Sequence, residues 1–317
     1  MLKIICFIVT AGIAFAAEYD YFSLAEDWKQ MDGTWCASTE QTPIDIETDA
    51  EIVRYKQMPM EFAPTFSLPV VTGATGNNNG HNVNLEFQGS PGVIFRFPKG
   101  RSFTSLNGPY TGTGPLNPGR KMLSSSGFEP ALLQGTLIDV HWHVPSEHAV
   151  RGRLYPAEAH FVHAISHKDD PDCTYMAGDQ GPFCLGVIGV LYEVHHDDTE
   201  TELDEGFTKV MEGFKNFPSD GQADTQPLPE PLDLASLLPE SKEFWHYRGS
   251  LTTPGCNENV TWFVLQEPKA IGWSHFNSLR NSILHDDLGD LNARPPLPLN
   301  SRIVFKSNYD EDIHQVV

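Results

Sequence analysis

The chain's 317 residues, 40% of them hydrophobic, are enough for one large domain or two smaller ones with a buried core. A formal net charge of -21, from 21 basic and 42 acidic side chains, argues against nucleic acid or any other phosphate-rich partner. Such acidity keeps a protein soluble and would suit saline surroundings or a calcium-rich mineral surface, but it says little about chemistry.

Met1 to Ala17 has the pattern of a cleaved secretory signal: Lys3 alone carries charge, an apolar run extends from Ile4 to Phe15, and Ala14-Phe15-Ala16 gives a small-residue cleavage site. The run is short for a bilayer span, and Asn308 to Val317 offers no hydrophobic tail for a membrane anchor. Export of the mature chain is therefore expected. Loss of the leader removes Lys3 and Cys6, so the charge becomes -22 (20 basic against 42 acidic residues) and Cys36, Cys173, Cys184 and Cys256 remain. An even number of cysteines in an exported chain favours disulfides over a thiolate metal site. Three pairings are open, and the sequence does not choose among them.

Strand signals dominate the middle of the chain. Asn82 to Gln88, Gly92 to Phe97, Gly135 to Val144, Ala157 to Ile165, Leu185 to Val194 and Val260 to Gln266 are rich in Val, Ile, Phe and Trp and alternate at least partly. Gly, Pro and Asn clusters separate them. Helical patterns are fewer: Glu200 to Phe217, with Leu203, Phe207, Val210, Met211 and Phe214 at helical spacing, then Leu234 to Leu237 and Ser274 to Ile283. Proline-rich Phe217 to Pro239 reads as a surface loop, and Ser102 to Gly127 carries no functional signal.

Three histidines carry the chemistry. In a strand the side chains at i and i+2 share a face, so His141 and His143 of His141-Trp142-His143 can address one ion together. Arg151-Gly152-Arg153, within His148 to Pro156, reads as a hairpin turn that returns His160 beside them from the neighbouring strand. Three neutral imidazoles leave a fourth tetrahedral position open for water, the arrangement of a catalytic zinc rather than a structural one. A solitary strand histidine is ordinarily a core or surface residue; here Glu147, His148 and Glu158 surround the three. There is no His-Glu-x-x-His helix of a metalloprotease.

These segments, together with Gln41-Thr42-Pro43-Ile44-Asp45-Ile46, Asn78-Asn79-Gly80-His81, Gly249-Ser250-Leu251-Thr252-Thr253-Pro254 and Val260-Thr261-Trp262, resemble the α-class carbonic anhydrases from about Trp28 to Phe305. The resemblance implies a mainly β (α+β) fold over residues 18–317: a single domain with a large, twisted, mostly antiparallel central sheet and short peripheral helices. It implies a zinc enzyme that hydrates CO2 reversibly to bicarbonate and a proton, in which hydroxide on Zn2+ attacks CO2. Bound water of pKa about 7 is a property of that family rather than of this sequence. A noncatalytic binding or mineral-matrix protein on the same fold is the competing reading. Members that lose activity generally lose a zinc histidine, whereas all three are present here.

Residue by residue, the resemblance makes His141, His143 and His160 the zinc ligands. Glu158 accepts the outer N–H of His160, and the backbone carbonyl of Asn292 that of His143; His148 stands with these outer residues. Opposite His141 the family typically has glutamine, where this chain has Asp139, whose charge should raise the pKa of the activated water. Thr252 and Glu147 match the pair that orients the hydroxide. Thr253 should contact bicarbonate, and Val162, Val187, Leu251, Val260 and Trp262 should wall the CO2 pocket, although alone they read as ordinary sheet core. His81 matches the proton shuttle, with Asn79, Asn84 and either Tyr21, the assignment made here, or Tyr19 holding the intervening waters. The resemblance joins Cys36 to Cys256 and, by default, Cys173 to Cys184. Asn259-Val260-Thr261 fits a glycosylation sequon, but its place in a strand predicts burial and an unused site.

Overall fold

Alternation along three adjacent strands separates two layers of side chains. Val140, Trp142, Ala157, Ala159, Phe161, Ile188, Val190 and Tyr192 join one hydrophobic core, whereas Val162, Leu185, Val187 and Leu191 join a second. This is the two-residue period of a sheet covered on both faces. The first core is completed by two helices, α1 (Glu205–Phe214) and α2 (Trp273–Ile283). Phe207, Val210, Met211 and Phe214 form the buried stripe of α1, and the Trp142 ring packs edge-on against Phe207 and Phe214.

The computed structural model describes residues 19–21, 23–46, 56–57, 65–67, 70–71, 74–78, 82–87, 94–99, 131–166, 183–195, 205–214, 224–229, 231–283, 292–300, 302 and 304–306. The main strands are β1 (Ala74–Asn78), β2 (Val83–Phe87), β3 (Ile94–Lys99), β4 (Ala131–His143), β5 (Ala157–Ser166), β6 (Phe183–His195), β7 (Asp224–Pro227), β8 (Phe244–Ser250) and β9 (Glu258–Leu265). Among the described residues they belong to a thirteen-stranded sheet whose main path runs β7-β1-β2-β4-β5-β6-β9-β8, then Phe305–Lys306 and Lys56–Gln57. Most pairs are antiparallel. The exceptions are β6 with β9, β6 with Lys269–Gly272, and Phe305–Lys306 with Lys56–Gln57. The expected mainly β domain is thus present as a mixed sheet.

All six expected strands and the two longer helical patterns appear with shifted ends; Leu234–Leu237 keeps its expected bounds as a single 3-10 turn capped by the Asp233 side chain. Phe217 to Pro239, expected as a loop, instead supplies β7 and the short strand Leu232–Asp233. The predicted turn forms between Ala149–Val150 and Arg153–Leu154, where Arg151 (φ 53°) and Gly152 (φ 77°) both take the left-handed conformation of a two-residue hairpin.

One expectation fails at β9. Gly249 pairs with Val260 but Ser250 pairs with Glu258, so Asn259 is the extra residue of a bulge, with φ 70°, and it is exposed rather than buried. The Cys36–Cys256 disulfide is formed and sits in a third cluster with Tyr21, Ala25 and Trp28. Cys184 is also disulfide-bonded. The leader, Asn79, His81, Cys173 and Ser102 to Gly127 lie outside the described residues. No described helix is long and apolar enough to cross a membrane.

Candidate metal centre

Strand register alone assembles the histidines. His141 of β4 faces His160 of β5, and His143 faces Glu158, so all four project from the same side of the sheet. The row through His160 continues to Gly189 on β6 and Val264 on β9, and His141 is flanked on its other side by Asn84 of β2.

Each imidazole is oriented by a hydrogen bond from one ring nitrogen, which frees the other. His143 Nδ1 donates to the Asn292 carbonyl at 2.7 Å, His160 Nε2 to Glu158 Oε1 at 2.9 Å, and His141 Nδ1 contacts Asp139 Oδ2. What remains is Nε2 of His141, Nε2 of His143 and Nδ1 of His160. The three histidines each offer one ligand atom within 4.8 Å of the others. Buried His143 Nε2 and Glu147 Oε2 have no hydrogen-bond partner, and they lie 3.4 Å apart. Three ring nitrogens beside a partnerless carboxylate oxygen fit a divalent cation of borderline softness. His148, Glu158 and His160 form a second such group. Its atoms are already committed, since His148 Nδ1 donates to Glu158 Oε1 at 2.7 Å and His148 Nε2 lies 2.6 Å from the Tyr247 hydroxyl.

Burial sets the charges. It pushes His143 well below its ordinary pKa and His160 down to about 4, so both are neutral and have a lone pair to offer. Burial alone would raise Glu158. His148 and His160 outweigh it through charge and hydrogen bonds, and hold the carboxylate well below its ordinary range. Its other oxygen, Oε2, accepts the backbone N–H groups of Glu147 at 2.9 Å and His148 at 2.8 Å. Glu147 is pushed well above its ordinary value by burial, against hydrogen bonds from the Arg294 N–H and the Thr252 hydroxyl. A dication held by His143 and His160, which lie 3.4 and 3.8 Å from Glu147 Oε2, would pull it back toward the ionised form.

The wall residues also converge. Val162 faces Val187, and Val187 faces Trp262, in one row across β5, β6 and β9. Val260 joins the same hydrophobic cluster, and partly buried Leu251 packs against it. The Trp262 ring centroid lies 4.8 Å from that of His160, and its Nε1 donates to the Ser250 carbonyl at 3.0 Å. Thr252 is buried, and the Thr253 carbonyl beside it accepts the Cys256 N–H at 2.9 Å. Asn84 Nδ2 donates to Asp139 Oδ1 at 3.1 Å. Tyr21 and Tyr19 are hydrogen-bonded to each other, and both feel the charge of Glu147, so the two candidates form one unit.

Several residues of this network carry no signal in the sequence. Arg294 donates its backbone N–H to Glu147 Oε1 at 2.9 Å, while its guanidinium binds Gln41 Oε1 at 3.0 Å and the Thr42 carbonyl at 2.9 Å. Burial lowers its pKa to about 10, which leaves it a cation. Tyr247 links His148 to Thr42, and Gly189 gives Glu158 its space: a Cβ at Gly189 would lie 2.9 Å from Glu158 Oε1.

Three buried or half-buried histidines converging on one face of a sheet are the donor set of a mononuclear metalloenzyme site, and their ligand atoms are close enough to share one ion. The family model for eukaryotic-type carbonic anhydrases matches residues 115–308, and the chain belongs to that enzyme family, whose members are generally zinc-dependent. Alpha carbonic anhydrase 7 of Arabidopsis thaliana is 29% identical over 88% of this chain and 79% of its own. Among solved structures, the α-carbonic anhydrase of Thermovibrio ammonificans with sulfanilamide is similar at a TM-score of 0.62 and 26% identity, covering 92% of this chain and 100% of that one. That of Photobacterium profundum has a TM-score of 0.59 and 27% identity, with 89% and 95% covered.

Proposed function

We propose that the protein hydrates CO2 reversibly to bicarbonate and a proton, with Zn2+ held by His141, His143 and His160. The observation that carries this reading is the convergence of three ring nitrogens, each freed because its partner nitrogen is engaged elsewhere. Zinc bound there supplies the Lewis acidity that makes water nucleophilic at neutral pH. Thr252 accepts the nucleophile's hydrogen and gives its own to Glu147, which aims a lone pair at carbon. Val162, Val187, Leu251, Val260 and Trp262 hold CO2 without competing hydrogen bonds, and Thr253 contacts bicarbonate. His81, whose side-chain type titrates near about 6.5, takes the released proton toward buffer, with Asn79, Asn84 and the Tyr19–Tyr21 pair ordering the water path. The protein is exported, with residues 1–17 as its leader and Cys173 paired to Cys184.

Stopped-flow CO2 hydration before and after chelation, with zinc content measured in parallel, tests the reading. Activity should vanish with the metal and return on adding zinc; undiminished hydration by folded, zinc-free protein would overturn it.

Asp139 places a negative charge against His141, where it disfavours any further loss of positive charge at the site. An Asp139→Gln variant is therefore expected to move the midpoint of the pH–rate profile downward, by up to about one unit. A midpoint that stays put or rises would contradict this.

Gly189 makes a second, purely steric prediction. With an alanine Cβ 2.9 Å from Oε1, Glu158 must retreat from His160. Gly189→Ala should thus weaken zinc binding roughly 10-fold, the lower end of what disturbing an outer hydrogen-bond partner costs. Competition against a chromogenic chelator reads this directly, and an unchanged affinity would show that the carboxylate moves without penalty.

A further inference from the structure

We propose that Asn259 is a site of N-linked glycosylation, displayed by the β9 bulge. Asn259-Val260-Thr261 is the single Asn-x-Ser/Thr triplet in the sequence. A sequon inside a regular strand next to the pocket wall would point half its residues into the core. The bulge changes that. Asn259 is the unpaired residue between Glu258 and Val260, and it is exposed, while its neighbour Val260 is the one buried against the pocket.

The amide is also held in a defined way. Arg248 Nη2 donates to Asn259 Oδ1 at 2.9 Å, so the oxygen is engaged and Nδ2, the atom that would carry the sugar, is not required for that bond. Glycosylation leaves Oδ1 intact, so the Arg248 contact survives modification. In the transfer, Nδ2 displaces a lipid diphosphate from C1 of a lipid-diphosphate-linked oligosaccharide. The N–C1 bond forms, the C1–O bond breaks, the Nδ2 proton passes to a base of the transferase, and nothing is oxidised or reduced. The acceptor must be extended during transfer, which places the event before Cys256, three residues upstream, is locked to Cys36 and buried. The folded chain then tolerates the glycan because its attachment point faces outward.

The inference rests on the secretory route proposed above, and the test separates the two. The full chain is expressed in a eukaryotic secretory host, once with its own first 17 residues and once with a host leader in their place. Exported protein should lose a discrete mass on treatment with an N-glycan amidase, and the peptide containing position 259 should carry the resulting amide-to-carboxylate conversion. Asn259→Gln and Thr261→Ala should each abolish the shift, and Thr261→Ser should preserve it. Modification under the host leader alone supports the site while removing the native leader. Exported, disulfide-bonded chain whose 259 peptide is unmodified under both leaders overturns the proposal.

Discussion

Replacing His143 with alanine is expected to bring CO2 hydration to the rate of buffer alone and to leave a protein that loses zinc on dialysis. In the proposed centre His143 contributes one of three nitrogens, its ring is fully buried, and no other imidazole of the described residues joins the group. Glu147 Oε2 lies 3.4 Å from His143 Nε2, but its carboxyl group is tied to the Arg294 N–H through the other oxygen and to Thr252, and burial opposes its ionisation once the metal is gone. A graded companion makes the result specific. Glu158→Gln keeps all three ligands but places an amide where one carboxylate accepts four hydrogen bonds, two from His148 and His160 rings and two from backbone N–H groups. Whichever way the amide is turned, its NH2 meets donors. Zinc affinity should fall about 10–100-fold, far less than for the missing ligand. Full zinc occupancy with normal turnover in His143→Ala would remove the ligand assignment, whereas equal losses in the two variants would indicate unfolding rather than metal chemistry.

The histidine face was legible because its rule is local: a two-residue period and a turn of known length fix which side chains meet. The rest of the site depends on contacts that no local pattern encodes. Asn292 and Glu147 could be placed only through resemblance, since one acts through its main-chain oxygen and the other depends on Arg294 at a distance of 147 residues in sequence. Gly189 shows why even a strand correctly read stays incomplete. Its meaning lies in the Glu158 carboxylate on the next strand. Phe244–Ser250 gives no strand signal because its residues, Phe-Trp-His-Tyr-Arg-Gly-Ser, do not alternate in polarity, although they are buried at most positions. The pairing of β6 with β9 is parallel and nonsequential, so it follows from topology rather than from any hairpin signal. Asn259 failed for the opposite reason. Strand membership was right, but one inserted residue reversed the inference of burial.

Removing the Cys36–Cys256 bridge should produce the largest loss of stability of any single change considered, with little direct effect on chemistry. The two cysteines are 220 residues apart, and loop entropy assigns a cross-link over such a span about 5 kcal/mol. That is comparable to the whole net stability of many domains, which lies around 5–15 kcal/mol. At about 2.1 cal/mol/K of unfolding entropy per residue, the loss corresponds for a chain of this size to a fall in Tm of roughly 8 °C. Locally, however, the loop bearing Thr252 keeps other ties. Leu251 N–H donates to the Asn257 carbonyl at 2.9 Å, Cys256 N–H to the Thr253 carbonyl at 2.9 Å, and Gln41 Nε2 to the Cys256 carbonyl at 3.0 Å. A Cys36→Ser variant that remains folded at low temperature should therefore keep its kcat for CO2 hydration while unfolding at much lower denaturant. Because Cys184 is also disulfide-bonded, reductant breaks more than this bridge, and the variant is the cleaner instrument. Urea unfolding and turnover measured on the same samples decide the matter. An unchanged midpoint would mean that the unfolded chain is already compact enough for the cross-link to constrain nothing, and a collapse of kcat in fully folded protein would mean that the bridge itself holds Thr252 in place.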